Sequence, residues 1–126
     1  MAVSDELVLE AALAIAAAPG LEMDPDGLLE DAYLLAFAFP DEAEFAAAAA
    51  STVRAIGDLS AGRVSSSRLK YALDGWSSFH YQHRVSQGAR ADCRIVFRET
   101  DGGIEVMGFG HRSVPKDFYS RMASGR

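Results

Sequence analysis

The sequence predicts an α+β protein in which helices come first, an antiparallel meander of three strands follows, and a short helix ends the chain. Up to about residue 73, apolar residues recur at helical spacing between Pro and Gly breakers. From Trp76 onward the pattern changes to the aromatic and β-branched runs that are typical of strands. Helices followed by a block of strands indicate an α+β domain.

Each of the four helices predicted before the first strand has a capping residue or a breaker at its ends. They run from Ser4 to Pro19-Gly20, from Asp24-Pro25 to Pro40, from Asp41 to about Ile56, and from Ser65 or Ser66 to about Leu73. Glu44 follows Asp41 by three residues, which completes a capping box.

The second half of the chain is predicted to form the sheet and a last helix. The strands are Trp76 to Val85, Asp92 to Glu99 and Ile104 to Phe109, and the helix runs from Lys116 to about Met122. Thr100 to Gly103 suits a hairpin turn, because Asp and Gly tolerate positive φ.

Composition limits the class of protein. A chain of 126 residues fits one domain with a modest core. Its longest apolar runs are far shorter than the roughly 20 residues of a membrane span, and no basic segment precedes them, so we expect neither a span nor a signal peptide. Cys93 is the single cysteine, so an intramolecular disulfide is excluded and a cytoplasmic location is favoured. Cys93 is expected to be a small core residue.

The charges are distributed unevenly along the chain. Residues 1–50 hold 11 of the 18 acidic residues and no Lys or Arg, whereas residues 51–126 hold all 12 Lys and Arg. This asymmetry points to an anion-binding part that is carried beside an acidic arm, although acidic helix faces are often simply solvated. We therefore predict an acidic helical extension over residues 1–40 and a functional domain over residues 41–126.

Four arginines lie in the predicted strands or just after them. Strand alternation places Arg94 and Arg98 together on one face, opposite the apolar Ile95 and Phe97. Arg84 ends the preceding strand and Arg112 follows the last one. Guanidinium groups match phosphate geometry, so this arrangement could bind an RNA or DNA backbone, but strand arginines also commonly just cover a sheet face.

The histidines provide candidates for acid–base chemistry. His80 and His83 are three residues apart, so on a strand they face opposite ways and do not easily share one metal ion. Either ring could act as an acid or base, because an ordinary imidazole titrates near neutral pH. His111 lies between Gly110 and Arg112, in a flexible turn that can direct its side chain towards a ligand.

The order of these motifs resembles the RelE/ParE toxin superfamily over roughly residues 41–123. The resemblance rests on LDGW before a basic aromatic strand, on CRIVFR, on GGIEVMGFGHR and on Tyr119 in a C-terminal helix. It implies a helical hairpin packed on a small twisted antiparallel sheet. Basic strand residues, often lysines, are here replaced by His80 and His83, and the family's opening strand is replaced by the acidic helical extension.

The RelE-like branch implies a ribosome-dependent endoribonuclease that cleaves mRNA without a metal or other cofactor. By this resemblance, Arg94 would hold phosphate charge, Arg112 would aid the leaving group, and Tyr119 would orient or deprotonate the ribose 2′-OH, with His83 or His80 as an alternative base. Further RNA contacts are expected from His80, Arg84, Arg98, His111 and Lys116.

Two other functions are compatible with the sequence. A ParE-like toxin would inhibit gyrase without catalysis, and a catalytically inactive regulator could bind nucleic acid or protein on the same fold. The expected partners are mRNA on the ribosome and an antitoxin protein, with a homodimer also open. The acidic extension could cover the arginines in cis, or it could only extend the core.

Overall fold

The computed structural model describes residues 3–125, and within them it confirms the α+β class. The four α-helices are α1 (Asp5–Ala16), α2 (Pro25–Ala38), α3 (Glu42–Ser60) and α4 (Phe118–Ala123). The five strands are β1 (Leu21–Glu22), β2 (Ser67–Arg68), β3 (Ser77–Tyr81), β4 (Cys93–Thr100) and β5 (Gly103–His111).

The sheet has the strand order β1-β5-β4-β3-β2 and is mixed, which corrects the prediction of a purely antiparallel sheet. The meander of β3, β4 and β5 is antiparallel as predicted, and Thr100 pairs with Gly103 across the hairpin turn. The added strand β1 runs parallel to β5, with Leu21 opposite Ile104. A segment of two residues between helices is too short to show the alternating pattern of a strand. β1 is a strand only because it pairs with the free edge of β5.

Three of the predicted helix starts are confirmed by their capping hydrogen bonds, whereas the last helix begins at Phe118, after the cap Asp117, and not at Lys116. The side chains of Ser4, Asp24 and Asp41 accept hydrogen bonds from backbone N–H groups three residues later, at 3.2, 3.0 and 3.0 Å. α3 extends to Ser60, beyond the predicted end near Ile56, because Gly57 keeps helical geometry and the chain first turns to a positive φ, of 71°, at Gly62.

The predicted helix from Ser65 or Ser66 to Leu73 is wrong. Ser67 and Arg68 form the edge strand β2 against β3, and Tyr71–Leu73 is a single 3₁₀ turn. Tyr71 has a φ of 57°, which no continuing α-helix allows. The Leu69 N–H donates to the Trp76 carbonyl, so hydrogen bonds to the incoming strand replace the helical ones.

The main core lies between one face of the sheet and α1, α2 and α3. Val8, Ile15 and Leu35 from the first two helices are fully buried in the same cluster as Ile95 and Phe109 of the sheet. Residues of the 1–40 segment therefore belong to the principal core, as in the alternative in which this segment extends it.

The opposite face of the sheet carries a smaller core under α4. Val96 is fully buried there with Phe118, Met122 and Leu73, so the arginine face of β4 is partly covered. A Cβ atom on Gly108 would lie 2.5 Å from the Met122 sulfur, and α4 packs this closely because the strand offers glycine. Through this packing, α4 holds its polar residues against the sheet.

Candidate functional site

A row of residues crosses the sheet on the α4 side. His80 of β3 pairs with Arg94 of β4, and Arg94 pairs with Gly110 of β5. Adjacent strands lie about 4.8 Å apart, so the His80 and Arg94 side chains leave neighbouring points of one face. His80 is exposed and Arg94 is half-buried, so this row is open to solvent on its β3 side.

Tyr119 of α4 contacts this row through its hydroxyl. Its Oη lies 3.0 Å from His80 Nε2 and 2.7 Å from Ser78 Oγ, with Ser78 on the same face of β3. The pKa of His80 is below the ordinary histidine value, because partial burial disfavours the charged ring and the Arg94 guanidinium repels it. At neutral pH the ring is therefore neutral and can accept the Tyr119 proton.

Arg94 is fixed by its own strand end. Its Nη1 donates to the carbonyl oxygens of Ala91 and Cys93, both at 2.9 Å, and its Nε is buried without a hydrogen-bond partner. The positive charge therefore has a defined position beside His80. Cys93 itself is fully buried, as predicted, and burial raises the pKa of its thiol far above the ordinary value, so this thiol is not an activated nucleophile.

The helix that carries Tyr119 is anchored by a buried ion pair. Arg121 Nη1 of α4 donates to Asp31 Oδ1 of α2 at 2.6 Å, and Asp31 is fully buried. The other carboxylate oxygen of Asp31 accepts the Phe109 N–H at 3.0 Å, beyond the point where β1 stops pairing with β5. One carboxylate from the acidic segment thus joins α4 to the free edge of the sheet.

Arg112 and Lys116 lie in the connection between β5 and α4, and both are exposed. The Arg112 N–H donates to the Asp92 carbonyl at 2.9 Å, which places this residue just past the Arg94 end of the sheet. Within residues 3–125, neither side chain makes a hydrogen bond or an ion pair, so both are available to an anionic ligand.

His83 lies elsewhere, on the side of α2 and α3. Its Nδ1 faces Asp92 Oδ2 at 2.5 Å and its Nε2 faces Glu44 Oε2 at 2.8 Å. The ring stacks on Phe39 with centroids 4.3 Å apart. Carboxylates only accept hydrogen bonds, so both ring nitrogens must carry hydrogen for both bonds to form. The structure brings His80, but not His83, together with Tyr119.

The two carboxylates of this cluster respond to His83. The hydrogen bond from His83, followed by that from Arg84, lowers the pKa of Glu44. Partial burial acts to raise the pKa of Asp92, but the hydrogen bonds that it accepts from the His83 backbone and ring outweigh this effect and leave the pKa lowered. Arg84 Nε donates to Glu44 at 3.3 Å, so Arg84 is also separate from the Tyr119 cluster.

His111 and Arg98 have structural partners of their own. His111 Nδ1 accepts the N–H groups of Ser113 and Val114, both at 3.1 Å, and partial burial lowers its pKa. Arg98 lies on the same face as Arg94, as predicted, but it pairs with Glu105 at 2.8 Å and its guanidinium lies 4.4 Å from the Trp76 ring centroid.

Sequence reasoning missed two residues of this region, Ser78 and Asp31. Alternation along the β3 pattern could have found Ser78, because it shares the face of His80. Asp31 falls between Leu28 and Leu35 on the buried side of α2, and an acidic residue within an apolar stripe is a signal for a buried partner. Its partner Arg121 is 90 residues away in sequence, which no local pattern predicts.

The side chains and helices of residues 3–125 also bear on metal binding and membrane insertion. No group of three or more His, Cys, Asp or Glu side chains in that range is arranged to hold a metal ion. None of the helices in that range has the length and apolar character needed to cross a membrane.

The fold and the site define an α+β protein with a His–Tyr–Ser cluster and a fixed arginine on one face of a mixed sheet. No protein-family model, curated protein or solved structure matches the chain.

Proposed function

We propose that this protein is a RelE-like endoribonuclease that cleaves mRNA on the ribosome, with the open face around Tyr119 as its active site. The observation that carries the proposal is the position of the Tyr119 hydroxyl, within hydrogen-bond distance of His80 and Ser78 and next to the Arg94 row. A hydroxyl, a neutral imidazole and a cation are the groups that attack by a ribose 2′-OH on its own 3′ phosphate requires.

The hydrogen-bond directions allow a proton relay. The Ser78 hydroxyl can donate to Tyr119 Oη, and Tyr119 can donate to the neutral His80 Nε2. When Tyr119 takes the 2′-OH proton, its own proton passes to His80. The 2′-oxygen then bonds to phosphorus, and the bond from phosphorus to the 5′-oxygen breaks to give a 2′,3′-cyclic phosphate and a 5′-oxyanion. The oxyanion accepts a hydrogen bond from Arg112 and takes a proton from water to give the free 5′-OH. In this proposal His80 supports the base, and His83 does not.

Two arginines would stabilise the charge that develops on the phosphate. Arg94 has a fixed position next to His80, and a guanidinium keeps its charge at all relevant pH values. Arg112 is exposed and without a side-chain partner in residues 3–125, so its guanidinium is available to stabilise charge on the leaving oxygen. Fixed cations aimed at developing negative charge are among the largest contributions to catalysis.

The element order also supports the proposal. The resemblance calls for a strand, a helical hairpin, a three-stranded meander and a C-terminal helix. β1, the pair α2 and α3, the meander β3 to β5, and α4 follow in that order, with α1 and β2 in addition. The helical hairpin would then be α2–α3, so the family-like region would begin near Leu21 and not at residue 41.

The test is primer extension on an mRNA in a purified translation reaction, with and without ribosomes. We expect the full chain to cleave only when ribosomes are present. Tyr119→Phe should lower the cleavage rate about 100-fold or more, because the relay loses its central hydroxyl. Arg112→Ala should lower it without affecting the fold, because its side chain has no partner within residues 3–125 to lose.

Tyr71→Phe is the matched control, since Tyr71 is 93% exposed and lies outside the cluster. Equal cleavage by the Tyr119→Phe and Tyr71→Phe variants would contradict the assigned site. If no folded version cleaves RNA, the proposed nuclease is wrong, and a gyrase supercoiling assay then separates a gyrase inhibitor from a binding module.

A further inference from the structure

A polar cavity of about 520 Å³ lies on the same sheet face as Tyr119, towards the edge strand β2. Arg68 of β2, Arg98 of β4 and the loop residue Asp74 contribute to its lining, together with the Trp76 ring. Trp76 precedes Ser78 by two residues, which corresponds to about 7 Å along an extended strand. The cavity is therefore next to the proposed cleavage site but does not contain it.

The cavity provides a stacking surface. The Arg98 guanidinium lies over the Trp76 ring, 4.4 Å from the ring centroid. The Nε of Arg98 donates a hydrogen bond to Glu105 Oε1 at 2.8 Å. The ring and the planar guanidinium thus form a fixed stack at the wall. Unpaired bases of RNA bind to aromatic rings and to guanidinium planes in this way.

The charges of the cavity fit a base better than a phosphate. Its lining includes two cations, Arg68 and Arg98, and two carboxylates, Asp74 and Glu99, so it has no excess positive charge. In residues 3–125, the side chains of Arg68 and Asp74 have no hydrogen-bond or ion-pair partner. They offer free donors and free acceptors to the edge of a flat polar ligand.

We propose that this cavity binds the base of an unpaired nucleotide that flanks the cleavage site. The base stacks on the Trp76–Arg98 pair, Asp74 accepts a hydrogen bond from an exocyclic amino group, and Arg68 donates to a ring nitrogen or carbonyl oxygen. Uracil has no exocyclic amino group, so the cavity favours guanine, adenine and cytosine over uracil. This inference rests on the proposed function, because it takes the ligand to be RNA.

Trp76 is the only tryptophan of the chain, so its fluorescence reports on this cavity. Trp76 also lines a second cavity of about 370 Å³ beside Met23 and Met107, so the variants of Arg68 and Asp74, which line only the first cavity, assign the quenching. The full-length protein is titrated with GMP, AMP, CMP and UMP, and with ribose 5-phosphate as a ligand without a base. We expect saturable quenching by the first three nucleotides, at least tenfold weaker binding of UMP, and no quenching by ribose 5-phosphate. Asp74→Ala and Arg68→Ala should each weaken binding about tenfold, which corresponds to about 1.4 kcal/mol.

Arg90→Ala is the matched control for Arg68→Ala, because Arg90 is equally exposed but lies in the loop between β3 and β4. Quenching that does not saturate, that ribose 5-phosphate reproduces, or that Arg68→Ala and Asp74→Ala leave unchanged overturns the base site. So does equal binding of all four nucleotides.

The two proposals fail separately. Saturable, base-dependent quenching without any RNA cleavage would leave the base site standing and the nuclease wrong. Cleavage that depends on Tyr119, with no quenching by any nucleotide, would leave the nuclease standing and the base site wrong. When both hold, Asp74→Ala should change which positions of the mRNA are cleaved, whereas Tyr119→Phe should slow cleavage at all of them.

Discussion

His80 and His83 are three residues apart in the sequence, yet they lie in two regions with different chemistry. His80 is on β3, on the side of α4, and contacts the Tyr119 hydroxyl at 3.0 Å. His83 follows the end of the strand and lies on the side of α3, between two carboxylates and against the Phe39 ring. β3 ends at Tyr81, so strand alternation does not fix His83, and its hydrogen bonds to Asp92 through the backbone N–H and the ring hold it on that side.

The difference teaches which histidine can take part in proton transfer. When both nitrogens of His83 donate to carboxylates, neither is free to accept a proton from a substrate. The His80 ring is neutral at neutral pH, and its partners are a hydroxyl and a nearby arginine. The surroundings of each ring, and not its spacing in the sequence, separate a structural histidine from a reactive one.

The largest expected effect on stability comes from Asp31→Asn, which removes the ion pair that anchors α4 beside His80 and does not touch the residues around His83. The substitution leaves the buried Arg121 charge unpaired, and breaking such a pair typically costs about 3–5 kcal/mol of the free energy of unfolding. Urea unfolding followed by circular dichroism measures this loss. Asp26→Asn, an exposed change on the same helix, is the control, and a similar small loss for both variants would contradict the role of the pair.

His80→Ala is expected to lower the rate of RNA cleavage about 100-fold, because the proton relay loses its final acceptor. This loss corresponds to about 2.7 kcal/mol of transition-state stabilisation. Primer extension measures the rate, and unfolding by urea checks that the fold is retained. If the His80→Ala variant cleaved RNA as fast as the unchanged protein, the assignment of proton transfer to His80 would be wrong.

His83→Ala should lower the stability of the protein but leave the cleavage rate almost unchanged, which is the opposite of the effect expected for His80→Ala. The free energy of unfolding should fall by about 1–3 kcal/mol, because the hydrogen bond to charged Asp92 is lost. The cleavage rate of the folded protein should stay within about twofold, since His83 does not contact Tyr119. The same two assays measure both quantities, and a large loss of cleavage at unchanged stability would instead assign the base to His83.

The smallest effects are those of pH, and they fall in two windows. The pKa of His80 is lowered from the ordinary 6.5 by partial burial and by Arg94, so cleavage should fall as the pH drops through a value below 6.5. Glu44 and Asp92 also have lowered pKa values. Their contribution to stability is therefore present above the ordinary values, pH 4.5 for Glu44 and pH 3.8 for Asp92, and is lost as the pH falls through the lowered values.

Two measurements separate these windows. The rate of cleavage against pH reports on His80, and the urea midpoint against pH reports on the two carboxylates. In His83→Ala the acid loss of stability should become smaller, while the pH dependence of cleavage stays the same. A change in the cleavage profile of this variant would show that the two regions are coupled.

Local patterns were sufficient for most of the elements. The helix starts at Ser4, Asp24 and Asp41 and the hairpin turn at Asp101-Gly102 depend on neighbours within a few residues, and each is confirmed. The predicted helix ending at Leu73 failed because that segment is held by the edge of β3 and by the Leu69–Trp76 hydrogen bond, which lie outside its own sequence.

The sequence by itself determined the α+β order and the shared face of Arg94 and Arg98, because helix caps and strand alternation act over a few residues. Only the tertiary structure decided which histidine meets Tyr119 and which carboxylate anchors α4. Those contacts join residues 39 and 90 positions apart, and they exist only after the helices have packed on the two faces of the sheet.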